Sequence, residues 1–241
     1  MITRCSAAER QRAHGRKRQA WLMVVPRLGF SPESFEALAL FGEYLLSPGG
    51  VAPLQPRDAS QVITYVHEGA LAYEDATGAR GVIGAGEFQR LTLERGATHT
   101  ETNASPTSSA RFFRVGLATW PGELVAGHQE QRFSAAQRRD VLCVVASPDG
   151  RRGSLRVHQD IVVCSAILSP GRHVVHELGA GRSAWLHTLQ GELVVGDVVL
   201  APGDGASVVG ERSVSFTTRG EAEVLLIDVA SRTNLKNGAA L

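Results

Sequence analysis

The chain has 241 residues, Lys+Arg 25 against Asp+Glu 24, and a formal net charge of +1 at pH 7. That length can bury a real core in one large domain or two ordinary ones, so disulfide stapling is not required. The balanced charge gives no global reason to bind nucleic acid, and no apolar run reaches the ~20 residues of a membrane-crossing helix. With no apolar export signal at its start, the chain is expected to be cytoplasmic and without a membrane partner.

Cys5 comes first, near a terminus in a polar context, and is the redox candidate among the cysteines. Cys143 and Cys164 read as buried small hydrophobes, because no CxxC or Cys/His ligand spacing connects the three. RQRAHGRKR (10–18) is a local basic cluster without a recognition helix or interleaved aromatics, and reads as a solvated surface arm. ALALFGEYLL (37–46), SQVITYVHEG (60–69), ALAYEDATG (70–78), RGVIGAGEFQRLTLERG (80–96) and SPTSSARFFRVGLATW (105–120) then read as short strands separated by turns. Within SQVITYVHEG, alternation puts Val62, Thr64 and Val66 on one face and Ile63, Tyr65 and His67 on the other. His67, at the end of its strand, is expected at the surface or in packing.

SAAQRRDVLCVVAS (134–147) opens as a helical turn capped by Ser134 before β-branched residues take over. SPDGRRGS (147–154) supplies a crossover. IVVCSAILSPGRHVVHELG (161–179) and SAWLHTLQGELVVGDVVLAPGDGASVVGERSVSFTTRGEAEVLLIDV (183–229) then repeat the plan of the first half. VHEG at 66–69 with GAGE at 84–87 is matched by TLQG at 188–191 with APGD at 201–204, which points to two copies of one barrel unit. GAGE and APGD lack the spacing and strand-to-helix context of phosphate loops, and read as barrel turns using glycine's positive φ. The expected architecture is all-β, two tandem β-barrel or sandwich domains with a short crossover: 1–130 with a preceding arm, 131–230, and a loose tail at 231–241.

QPRDASQVITYVHEGALAYEDATG, GAGEFQRLTLERGATHTETNAS and SPDGRRGSLRVHQD, in that order and followed by a second cupin-like repeat, resemble the pirin family of bicupins from about Phe35 to Asp228. The resemblance implies two cupin barrels and, in metal-containing members, one ion, usually iron, in the N-terminal barrel. There it is held by a His-x-His pair, a later His and a Glu two residues beyond. Matched by motif, Gln55 and Arg57 stand where the pair would lie, while His99 and Glu101 match the later two. Metal-containing pirins resemble quercetin 2,3-dioxygenases in activity. This chain resembles the family's metal-free bacterial branch.

The residues alone are consistent with that match. His99 and Glu101, two apart on an extended strand, share a face and are able to converge on one ion, yet a mononuclear iron site wants a facial set of three. At the position the resemblance implies for it, Arg57, permanently protonated, is expected to sit in the ion's place and pair with Glu101. The expectation is therefore a bicupin without metal or cofactor and without catalytic residues, binding an unknown small molecule or protein, with a redox or stress role. Iron or another divalent transition metal in an atypical site of a quercetin 2,3-dioxygenase-like oxidoreductase is the alternative. A protein or nucleic-acid interaction module using the basic arm is a further one, with nucleic acid disfavoured by the charge balance. His173, His176 and His187 form a minor candidate set in the second barrel.

Overall fold

The computed structural model describes residues 1–24, 34–54, 60–75, 78–95, 97, 99–118 and 126–230, side chains excepted at Val24, Pro53 and Asp75. The chain opens with β1 (Ile2–Cys5), the hairpin β2 (Gln11–Gly15) and β3 (Arg18–Val24), and β4 (Leu38–Leu46). There follow β5 (Val51–Leu54), β6 (Ser60–Glu68), β7 (Ala70–Asp75), β8 (Arg80–Gly84), β9 (Glu87–Leu93), β10 (His99–Asn103), β11 (Ala110–Leu117) and β12 (Gly127–Arg132). After a short helix, α1 (Ala135–Arg138), come β13 (Cys143–Ser147), β14 (Leu155–Arg156), β15 (Ile161–Leu168), β16 (His173–Glu177) and β17 (Arg182–Gln190). β18 (Leu193–Val195), β19 (Val198–Leu200), β20 (Gly205–Val208), β21 (Ser213–Thr218) and β22 (Ala222–Ala230) complete it.

These strands build two cupin-like units of the same design. In the first, a seven-stranded sheet ordered β12-β9-β6-β11-β4-β3-β2 faces a four-stranded sheet ordered β5-β10-β7-β8. The second repeats this as β1-β20-β17-β22-β15-β13-β14 facing β16-β21-β18-β19. The duplication read from the two glycine motifs has a structural basis at matching places. Gly86 and Gly203 both have positive φ, and their N–H groups donate to Val66 and Thr188 of the preceding long strand. The acid ending each motif caps its own turn, Glu87 accepting from Gly84 N at 2.7 Å and Asp204 from Ala201 N at 3.1 Å.

The chain interleaves the units, where a sequential division near residue 130 was expected. Described residues within 11–25 and 38–133 form one unit, and those within 1–10, 26–37 and 134–241 the other. β1 pairs antiparallel with β20, so the second unit's large sheet ends in the first residues of the chain. Asp204 holds that strand's exit, accepting from Ala7 N at 2.8 Å and from Arg4 at 2.7 Å. The basic cluster, read as an arm, is a β-hairpin at the edge of the first unit's large sheet. Ser134 caps α1 through a capping box with Gln137, as its sequence position suggests.

Each core lies between a large and a small sheet. In the first unit Ala20, Leu46, Val66, Ala110 and Phe112 meet Ala52, Leu71 and Ile83. In the second, Val162, Cys164, Leu186, Val224 and Leu226 meet Val174, Leu193, Val214 and Phe216. The alternation expected of β6 holds, Val66 entering the first unit's core while Tyr65 stacks on Phe88 at 4.3 Å on the other face. Both faces of the strand are buried, and His67 packs edge-on against Phe113 at 6.0 Å rather than lying in solvent. No helix among the described residues is long and apolar enough to cross a membrane.

Candidate functional site

The residues HTETN make β10, the second strand of the small sheet, with alternating burial that turns His99, Glu101 and Asn103 inward. Asn103 fastens the strand's end, its amide donating to Leu46 O at 2.9 Å and Ser108 O at 2.8 Å while its oxygen accepts from Ser105 N. His99 and Glu101 are thereby held on one wall, both with fully buried side chains, Nε2 of one lying 3.7 Å from Oε1 of the other. Tyr73, from β7, stacks on His99 at 5.5 Å, and the exposed ring of His128 lies 6.0 Å beyond Tyr73. Tyr73 in turn lies across Gly81 of β8, where an added Cβ would sit 2.4 Å from the phenolic oxygen.

Glu101 receives its cation from the facing sheet. Arg114 of β11, itself buried, donates Nη2 to Glu101 Oε2 and, at 3.1 Å, to Ala52 O. Its guanidinium lies 4.9 Å from the Tyr44 ring centroid and 5.2 Å from that of Phe112, two rings stacked at 4.9 Å. Burial works to raise the Glu101 pKa, but the Arg114 guanidinium, with His99 adding to it, holds the carboxyl below its ordinary range. The reciprocal attraction raises the Arg114 pKa against its own burial.

Among the described residues the arginine that pairs with Glu101 is Arg114, while Gln55 and Arg57, of which such a pair was expected, lie outside the described residues. Arg114 went unread in the sequence because it sits within the apolar run FFRVG. The available signal was its parity with Phe112 on β11, which makes an inward cation that needs a buried acid. Gln89 was also missed. It lies opposite Thr64 across β6 and β9, and its Nε2 donates to Glu130 at 2.9 Å. Its buried Oε1 has no hydrogen-bond partner among the described residues.

His99 carries the clearest signature of an unfilled requirement, because neither ring nitrogen has a hydrogen-bond partner among the described residues. Buried polar atoms are seldom left so. One imidazole nitrogen of His99, the other keeping the ring proton, and the ionised carboxylate of Glu101 are donors of the kind a divalent cation takes, although no group of three or more His, Cys, Asp or Glu among the described residues gathers around them.

The second barrel's interior is apolar, and its histidines do not converge. His173 meets Ser215 at 2.7 Å on an exposed face, and His176 meets Asp228 at 2.9 Å. His187 stacks beside Trp185, on the strand face opposite the core residue Leu186. Cys5 is buried, its thiol pushed up to about 11 chiefly by that burial. It therefore lacks the exposed, acidified thiol of a redox sensor.

Two family models divide the chain between them: that described as Pirin matches residues 8–117, and that described as the quercetinase C-terminal cupin domain matches residues 144–229. The chain is a pirin-family bicupin. This pirin is 29% identical over 195 residues to a quercetin 2,3-dioxygenase of Escherichia coli (strain K12), covering 81% of this chain and 83% of that protein. It is 27% identical to a pirin-like protein of Caulobacter vibrioides, across 80% and 84% of the two chains. Among solved structures it superposes on the bacterial pirin YhhW from Escherichia coli in complex with nickel(II). That match has a TM-score of 0.83 at 26% identity, covering 96% of this chain and all of the other.

These relatives correct two expectations drawn from the sequence. A chain without catalytic activity and one without a metal cofactor were both inferred from the loss of the His-x-His pair. Likeness along most of the length to proteins named as dioxygenases supports an enzyme with a metal cofactor instead. The inference gave decisive weight to Gln55 and Arg57, which lie outside the described residues, over His99 and Glu101, which share one buried wall.

Proposed function

We propose that the first barrel is the active site of a quercetin 2,3-dioxygenase-like oxidoreductase with an atypical metal site in which His99 and Glu101 are the protein donors. The observation that carries the reading is the fully buried His99, whose two ring nitrogens have no hydrogen-bond partner among the described residues, beside the carboxylate of Glu101. The relatives named quercetin 2,3-dioxygenase supply the reaction class, and the nickel(II) complex of a related pirin supports a divalent ion.

A bound divalent transition metal would supply Lewis-acid polarisation and a meeting point for dioxygen and an aromatic hydroxyl. The chain's own residues set the remaining conditions. Arg114 keeps Glu101 ionised, so that Oε1 remains an acceptor able to take a proton from a substrate hydroxyl. Tyr73 fixes the His99 ring plane from one side, and Gly81 leaves room for Tyr73 to lie there. Glu101 Oε1 is approached by Thr64 Oγ1 at 3.5 Å and His99 Nε2 at 3.7 Å, a weaker hold than Arg114 has on Oε2. Gln55 and Arg57, at the other two family positions, make the site atypical in this reading.

Oxygen uptake with quercetin, measured on protein loaded with Fe(II), Ni(II) or Mn(II) and on stripped protein, tests the proposal. Uptake should require metal and fall by at least about a hundredfold in His99→Ala and Glu101→Gln, as expected when a group that organises the reacting atoms is lost. Equal uptake by stripped protein, or by either variant, would overturn it.

A further inference from the structure

The basic hairpin takes no part in the site above, and its placement assigns it a separate role. β2 is the last strand of the first unit's large sheet, pairing with β3 on one side and with no strand among the described residues on the other. Arg12, His14, Arg16 and Lys17 are exposed, Arg18 is half-buried, and Ala13 turns toward the core. Between Arg10 and Glu33 the sequence contains no acidic residue. None of Arg12, Arg16, Lys17 or Arg18 is ion-paired with a described carboxylate. From Arg12 to Gly15 the edge thus has no neighbouring strand among the described residues to take up its outward backbone donors and acceptors and, alongside them, carries positive charge that no described carboxylate compensates.

We propose that β2 docks an extended acidic segment of a protein partner by strand addition. The open edge supplies the main-chain ladder, and Arg12, Arg16 and Lys17 supply the selection for carboxylates. A second copy of this chain is a poor occupant, because antiparallel pairing of two β2 strands would set arginine and histidine side chains against their like. A nucleic acid would use the charge but leave the ladder unused, so an extended polypeptide fits both features. Basic side chains on an edge also deter indiscriminate pairing, which makes an acidic strand the one kind of strand admitted.

Fluorescence anisotropy with a capped, labelled peptide of alternating glutamate and threonine tests this on the full-length protein. Controls are an equally charged peptide with proline at the threonine positions, and a single-stranded oligonucleotide of matched charge. The glutamate–threonine peptide should bind more tightly than both, and Arg16→Glu with Lys17→Glu should weaken it by about tenfold or more, a difference of about 1.4 kcal/mol. A thermal melt confirms that these exposed substitutions leave the fold intact. The proline peptide binding equally well would mean charge without strand addition and would overturn the proposal. So would tighter binding of the oligonucleotide, or indifference to charge reversal in a folded variant.

Discussion

Arg114 and Glu101 make a buried ion pair whose value depends on both members being present. Two charges withdrawn from water carry a large desolvation cost, which their attraction and the bond to Ala52 O offset, whereas removing one partner leaves the other charge stranded. Arg114→Met should therefore destabilise the protein by about 3–5 kcal/mol, read as a lowered denaturation midpoint in urea. A loss below about 1 kcal/mol would show that the pair is relieved by solvent, as at a surface. The pH dependence follows from the same residues. The folded Glu101 pKa is depressed, so its contribution is present above the unfolded carboxyl pKa and is lost as pH falls through the folded value. In Arg114→Met, burial acts unopposed by the guanidinium, and stability should begin to fall at a higher pH than in the parent; coincident acid limbs would contradict this. The thiols give a simpler check. Burial pushes Cys5 to about 11 and Cys164 to about 12, so neither should react with iodoacetamide at neutral pH until the chain unfolds. Labelling of Cys5 in the native protein, located by mass spectrometry, would contradict that.

At the scale of strands and turns, sequence pattern was most informative where it was local. Alternation in β6 and the Ser134 cap are short-range signals, and the paired glycine turns are set by positive φ within a few residues. The pairing of β1 with β20 carried no such signal, since Ile2 and Val208 meet across most of the chain. The hairpin was misread as an arm because four of its five β2 residues are polar or glycine, leaving Ala13 alone to mark the inward face. Asp204 joins the turn motif to the chain's first strand, so Asp204→Ala should cost about 1–3 kcal/mol by leaving Ala7 N, Ala201 N and Arg4 without their acceptor. Calorimetry should show a lowered melting temperature, and an unchanged melt would mean that water replaces the carboxylate. Gly81→Ala acts on another element, because the new methyl meets the Tyr73 ring. It should lower quercetin-dependent uptake more than it lowers stability, and unaltered uptake would separate Tyr73 from the site.

At the scale of the whole molecule, the bicupin plan was legible because duplication leaves a repeated pattern, and His99 with Glu101 because two-residue spacing puts both on one strand face. Arg114 was not, for its significance lies in a contact across the barrel that no spacing within β11 reveals. Nor does the identity of Gln55 and Arg57 settle whether an ion is held, when His99 and Glu101 are both buried and neither ring nitrogen of His99 has a hydrogen-bond partner among the described residues. Metal content per chain, determined by elemental analysis after equilibration with Fe(II) or Ni(II) and removal of free ion, tests this account most directly. It predicts close to one ion per chain in the parent, and loss of that ion in His99→Ala and in Glu101→Gln. Metal retained undiminished in both folded variants, or absent from the parent under every loading condition, would contradict it.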